Sequence, residues 1–129
     1  MKTISSLNEL SISLKQKRFI LEFLRQAKDI STFDKIDEFI LFGSCARGDA
    51  HEKSDVDIMV LGDRLGDDTL FDLYDCTVYP GWRDNENRVD NDVFVSDRNY
   101  FETHKDELGS FVWRVAKDGV SLKGLIQTV

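Results

Sequence analysis

Two cysteines and two histidines in 129 residues leave little material for a disulfide framework or a zinc centre. Cys45 and Cys76 read as free thiols of a reducing compartment. His51 and His104 have no Cys or His partner at zinc-binding spacing and read as loop and helix-surface residues. No apolar run approaches the length of a membrane span. The first residues lack the basic-then-apolar pattern of a signal peptide. A cytoplasmic protein without a membrane partner is therefore expected. Basic residues are also scarce: 17 Lys and Arg stand against 24 Asp and Glu, for a net charge of −7. A surface this acidic argues against a grip on a nucleic-acid backbone, which needs clustered cations. It leaves a nucleotide open, because a bound metal inverts the local charge. What remains, at 41% hydrophobic and 32% charged residues, is a soluble globular chain. It fits one domain over 1–129 with a modest core, and no repeat or low-complexity tract divides it.

Hydrophobic spacing gives the order of elements. Leu7, Leu10, Leu14, Leu21 and Leu24 recur at helical intervals, widened by Ile20, Phe23 and Ala27. Ser13 and Gln16 form a capping box for a helix over 14–28, and residues 1–13 are assigned an extra N-terminal helix. The apolar run 36–42 predicts a buried strand. Residues 45–50 predict one or two helical turns, 51–54 a polar loop and 55–61 a second strand. A turn over 62–66 leads to a helix over 68–79 with Leu70, Leu73 and Tyr74 on its inner face, and Pro80 to Asn87 is the clearest loop. Alternation over 88–96 predicts a third strand, with Asp97 as N-cap of the helix that follows. That helix carries Tyr100, Phe101, Leu108, Phe111, Val112 and Val115, is interrupted near Gly109, and ends on Gly119 as a left-handed cap. Residues 120–122 predict a short last strand. Alternating helices and strands imply an α/β (α+β) fold, a mixed sheet flanked by helices in one small domain.

The chemistry concentrates in two places. Gly43-Ser44-Cys45-Ala46-Arg47-Gly48 follows the first strand, and Ser54-Asp55-Val56-Asp57 opens the second. Side chains alternate along a strand, so Asp55 and Asp57 share a face. Carboxylates side by side repel, and they are tolerated where cations neutralise them. A turn of small residues facing such a pair suits a metal-bound polyphosphate. Mg²⁺ fits, being a hard cation that takes carboxylate, phosphate and water oxygens, and two ions can share one carboxylate pair. A third carboxylate from a neighbouring strand would complete the site, with Asp92 and Asp90 as candidates. Strand-face alternation favours Asp92.

These residues closely resemble the nucleotidyltransferase superfamily that includes DNA polymerase β, and most of all its minimal nucleotidyltransferases. The family pattern is Gly-Ser-x-Ala-Arg-Gly, a short spacer, then Ser-Asp-x-Asp and an apolar run, with a third carboxylate on a later strand. Gly43, Ser44, Ala46, Arg47, Gly48, Ser54, Asp55 and Asp57 match it, and Asp92 followed by Val93-Phe94-Val95-Ser96 fits the spacing after the third. The resemblance implies that Asp55, Asp57 and Asp92 are catalytic and hold two Mg²⁺ ions. It implies nucleotide binding by Gly43 and Ser44 at the β- and γ-phosphates. Arg47 would support the loop or touch the triphosphate, and Ser54 would brace the carboxylates. The activity implied is transfer of a nucleotide, AMP from ATP, to a hydroxyl.

The short chain shows no segment for holding an acceptor, so a protein partner or a second copy is expected to supply it. The resemblance implies a toxin–antitoxin pair in which a helical ribonuclease partner is adenylylated. The competing readings are a non-catalytic antitoxin of the same fold and an antibiotic-modifying nucleotidyltransferase. An Asp-x-Asp pair also occurs in metal-dependent glycosyltransferases, but that leaves residues 43–48 unexplained. Singly, each feature has an ordinary reading: Gly43-Ser44 a common turn, Asp57 a surface ion pair, the 84–92 acidic cluster a poor match to a calcium loop. Phe111 and Trp113 lie two apart on one helix, so they cannot both face one core, and one should be exposed to a partner.

Overall fold

A computed structural model of the protein describes residues 1–81 and 88–129, with the backbone alone over 79–81. Strands Lys2–Thr3 (β1), Ile36–Phe42 (β2), Val56–Gly62 (β3), Asn91–Asp97 (β4) and Val120–Ser121 (β5) form one mixed sheet in the order β1-β5-β2-β3-β4. The helices are Leu14–Ala27 (α1), Ser44–Arg47 (α2), Asp67–Gly81 (α3), Arg98–His104 (α4) and Phe111–Asp118 (α5). The fold is therefore the expected mixed sheet flanked by helices.

The central strands read as continuous apolar runs because both their faces are covered. On one face, Phe39, Leu41, Val56, Ile58, Val60 and Val93 pack beneath Phe19, Ile20, Phe23 and Leu24 of α1 and Leu73 and Cys76 of α3. Phe23 meets Phe39 edge to face, with ring centres 6.2 Å apart. On the other face, Ile40, Phe42, Met59 and Leu61 pack against Phe101 of α4 and Val112 and Val115 of α5. Both cysteines are free and buried.

The capping box at Ser13 forms as the spacing predicts: Gln16 N–H donates to Ser13 Oγ at 3.2 Å, and Ser13 N–H donates to Gln16 Oε1 at 2.8 Å. Five expectations change. The first thirteen residues form no helix beyond one 3₁₀ turn at Leu7–Glu9; the chain instead begins as edge strand β1, paired in parallel with β5. The inner stripe of α3 is Thr69, Leu73, Cys76 and Thr77, whereas Tyr74 faces outward. Thr69 is held inside by a 2.7 Å hydroxyl–hydroxyl bond to buried Thr32, which turns the helix away from the hydropathy pattern. Pro80 and Gly81 close α3 rather than opening a loop, and the rest of that expected loop, with Trp82, lies outside the described residues. Asp97 sits at the N-cap of α4 without capping it; its side chain accepts from Leu65 N–H at 3.3 Å instead. Gly119 ends α5 in an extended conformation (φ −67°), not a left-handed one.

Gly119 is required for space. A Cβ there would sit 2.5 Å from the Val115 carbonyl oxygen and 2.6 Å from Ile40 Cγ2. Gly119→Ala should therefore lower stability by about 1–3 kcal/mol, the usual cost of overpacking. A urea midpoint lowered at unchanged slope would show it, and an unmoved midpoint would mean that α5 can part from β2 at no cost.

Candidate active site

Strand register builds the site. Phe42 lies opposite Asp57 in the antiparallel β2–β3 pair, and Asp57 lies opposite Asp92 in the parallel β3–β4 pair. One row across the sheet thus reads Phe42, Asp57, Asp92, all on the face that α4 and α5 cover only in part. Asp57 is the one position of β3 that is not buried. Asp55, just before β3, joins them: one carboxylate oxygen from each of Asp55, Asp57 and Asp92 lies within 4.8 Å of the others. Asp90 does not join. It is paired with the Arg88 guanidinium at 3.2 Å, while its carbonyl accepts from Val56 N–H.

The cluster is electrostatically strained. Asp57 is pushed up from the ordinary 3.8 to about 6, first by burial, then by the neighbouring charges of Asp92 and Asp55, with Arg47 acting in the opposite sense. Three oxygen donors that cannot all ionise comfortably are what a hard cation relieves. Among the described residues this is the one such cluster able to hold a metal ion.

The glycine–serine turn is built against that cluster. Gly43 has φ +73°, and a Cβ on it would lie 2.5 Å from Asp57 Oδ2. Conformation and space both demand glycine, so the turn lies directly on the carboxylate. Ala46 and Arg47 N–H close the first turn of α2 on the Gly43 carbonyl. The amides of Ser44 and Cys45 precede that ladder. Gly48 ends α2 in the left-handed region, at φ +91°. Arg47 is engaged by Asp118 at 3.0 Å and Asp49 at 3.3 Å, which ties α2 to the end of α5.

Behind the row, three side chains fix the loop that leads into Asp55. Fully buried Gln16 donates its amide hydrogens to the carbonyls of His51 and Ser54, each at 3.0 Å. Ser54 Oγ accepts from His51 N–H at 2.9 Å. Buried Cys45, its thiol held protonated by burial and by Asp57 and Asp55, donates to the Asp55 carbonyl at 3.4 Å. Sequence reasoning found Gln16 only as a cap. A polar residue in the apolar stripe of a helix was the available signal that it does more.

Three rings flank the carboxylates. Phe42, Phe94 and Phe111 touch pairwise, with centres 5.0 to 5.9 Å apart. Phe111 and Trp113 do diverge: Phe111 is exposed within this cluster, and Trp113 is half-buried with Lys117 Nζ 5.0 Å from its ring centre.

The chain is similar in sequence to known proteins. "Putative protein adenylyltransferase MJ0141" of Methanocaldococcus jannaschii is 56% identical over 45 residues, 33% of this chain and 46% of that protein. "Putative protein adenylyltransferase MJ0604" of the same organism is 41% identical over 64 residues, 50% of this chain and 60% of that one. The matches therefore span about half the length of these relatives. A solved structure of a "putative nucleotidyltransferase" from Sulfolobus solfataricus aligns with 83% of this chain and 80% of that one at 25% identity, with a TM-score of 0.48, too low to bear on topology. The family model described as "Nucleotidyltransferase domain" matches residues 20–116. That span runs from within α1 to within α5 and takes in the turn, the carboxylate pair and Asp92, and the chain belongs to this nucleotidyltransferase domain family.

Proposed function

We propose that this chain transfers AMP from ATP to a hydroxyl on a partner protein. The observation that carries the reading is the convergence of Asp55, Asp57 and Asp92 beside a turn whose glycine admits no side chain against Asp57. Family membership supports nucleotidyl transfer, and the names of the two archaeal relatives support AMP as the group and protein as the acceptor. Nothing in an acidic surface of net charge −7 suits a nucleic-acid acceptor.

Each residue then has a task. Asp55, Asp57 and Asp92 would hold two Mg²⁺ ions, which when bound neutralise the triphosphate and the carboxylates and stabilise charge on the leaving pyrophosphate. The Gly43–Ser44 turn admits the phosphates close to the backbone. Arg47, engaged by Asp118 and Asp49, keeps that turn in place and offsets part of the charge on Asp57. Gln16, Ser54 and Cys45 fix the approach to Asp55. Asp92, exposed on the outer strand, accepts the hydrogen bond of the incoming hydroxyl. The hydroxyl oxygen attacks the α-phosphorus in line, and the bond from that phosphorus to the oxygen bridging the β-phosphate breaks. Pyrophosphate leaves with the electron pair, and the hydroxyl proton passes through Asp92 to solvent. A toxin–antitoxin pair, with a helical ribonuclease as the acceptor, is the setting the motif resemblance favours.

Transfer is tested with ATP labelled at the α- or the γ-phosphate, Mg²⁺ and the co-expressed partner. Label should reach protein from the α-position alone. γ-Label on protein would mean phosphoryl transfer, and labelling of a small antibiotic by the isolated chain would replace the protein acceptor. Asp92→Asn should lower transfer by about 10²–10³-fold, as loss of a group acting on transition-state charge does. Asp90→Asn should lower it far less, and the reverse order would move the third carboxylate to Asp90.

The raised pKa of Asp57 has a consequence whose sign can be measured. The folded state binds this proton more tightly than the unfolded chain, so the protonated group favours folding. That stability is present below the ordinary value of 3.8 and is lost as pH rises through about 6. In excess chelator at pH 7.5, Asp57→Asn should therefore stabilise the protein, by about 1 kcal/mol once solvent screening of a half-exposed group is allowed for. Mg²⁺ with ATP should raise the melting temperature of the unaltered protein and leave the variant unmoved. Equal melting shifts in both would show that Asp57 holds no cation.

A further inference from the structure

β4 ends the sheet, so among the described residues it has a partner strand on one side only. Along its open edge runs a groove of about 510 Å³, floored by residues 89–94 and walled by Tyr74, Thr77 and Val78 of α3. Asp92 lines this groove. Tyr74 and Val78 stand at helical spacing with Phe71 on one face of α3, at 45%, 55% and 63% exposure. Phe94, 37% exposed, lines the groove from the face of β4 that packs on Phe42 and Phe111. Exposed apolar side chains beside a groove mark a contact surface. The groove itself holds Asp90 and Asp92 against one cation, Arg88, which engages Asp90. Around it the chain is acidic, with a net charge of −7 and no Lys or Arg on α3, although Asp72 and Asp75 turn away into a cleft beside Asp29.

We propose that this edge is where the acceptor docks, and that the acceptor is an extended, basic segment of a partner protein that adds to β4 as a further strand; the proposal rests on the transferase reading above. Three features select this occupant. Alternate backbone groups of an edge strand offer hydrogen bonds to a new strand. A strand so added lies about 4.8 Å from β4, and a residue opposite Asp92 projects onto the same face. The row Phe42, Asp57, Asp92 is thereby extended by one acceptor side chain, which places a Ser, Thr or Tyr hydroxyl beside the carboxylate at the attack site. Asp92 and the chain's net charge of −7 attract Lys and Arg. A cationic small molecule would leave the backbone groups of the edge strand unpaired, and the acidity of the chain repels a polynucleotide.

The test uses the full chain, free of nucleotide and metal, and a short peptide of alternating Lys and Val with Tyr in place of the central Lys. A peptide with Glu for Lys serves as control. The Lys peptide should bind, shift the amide resonances of β4 and of residues 74–78, and lose about tenfold in affinity in the double variant Tyr74→Lys, Val78→Lys. Both positions are exposed, so the variant should fold, as a circular-dichroism melt will check. Equal binding of the Glu peptide, resonance shifts confined to other surfaces, or binding of an oligonucleotide or a cationic aminosugar at the groove in place of the peptide would overturn the proposal. With ATP and Mg²⁺ added, the Tyr should gain the mass of one AMP. Binding without that gain supports the docking edge and counts against the transfer. Gain at an unchanged rate in the double variant supports the transfer and overturns the docking edge.

Discussion

Repulsion within one row of carboxylates is the constraint on which the rest of this molecule depends. Asp55, Asp57 and Asp92 bring oxygens within 4.8 Å of one another at the end of a buried strand. Two like charges at that spacing cost about 3 kcal/mol at an effective dielectric near 20. That is a large fraction of the 5–15 kcal/mol by which a domain is ordinarily stable. Arg47 offsets part of it, but its guanidinium is shared with Asp118 and Asp49. The fold therefore stores an unfavourable arrangement that a bound cation would relieve, and the core must hold it until then.

The core does this through register. A strand whose alternate residues are fixed in two apolar clusters cannot slip by one residue without turning every side chain to the wrong face. Val56, Ile58 and Val60 face α1 and α3, and Met59 and Leu61 face α4 and α5. Asp57 is thereby committed to the second face at the level where α4 and α5 no longer cover it. The clip of Gln16, Ser54 and Cys45 holds the preceding loop in the same way, with buried hydrogen bonds that lose their partners if the loop moves. Gly43 closes the assembly from the other side. A side chain there would occupy the space of Asp57 Oδ2, so the turn and the carboxylate hold one position between them.

Much of this was legible in the residues. β2 and β3 announce themselves as apolar runs bounded by small and acidic residues, and the capping box locates α1 because Ser13 and Gln16 stand at the spacing that two reciprocal bonds need. The choice of Asp92 over Asp90 rests on strand-face alternation and on the family's spacing; residues two apart share a face, so the spacing is what separates them, and the register places Asp92, not Asp90, against Asp57. What escaped depends on contacts distant in sequence. A two-residue strand such as β1 carries no periodicity, and it exists because β5, arriving from the far end of the chain, lies beside it. The inner face of α3 was misread because hydropathy ranks Tyr74 above Thr69, whereas a hydroxyl partner at Thr32, 37 residues away, makes Thr69 the buried one. Gly119 was assigned its role from conformation, when the reason it must be glycine is the proximity of Ile40. Gln16 appeared as a cap because its other partners, at 51 and 54, are reached only once α1 packs beside the loop.

The position of Asp92 links this register to the acceptor. Asp57 lies on a strand with neighbours on both sides, so its surroundings are fixed by the chain itself. Asp92 lies on the last strand of the sheet, which among the described residues is paired on one side only. On the transfer reading proposed above, a carboxylate there is held to the triphosphate site through β3 and faces an incoming hydroxyl on its other side. The same edge would be a liability in a protein without a partner, since unpaired strand edges and exposed rings invite association. A net charge of −7 limits that hazard by repelling a second copy of this chain, which carries the same charge. On the docking proposal the same charge favours a basic strand, so what opposes self-pairing also selects the partner.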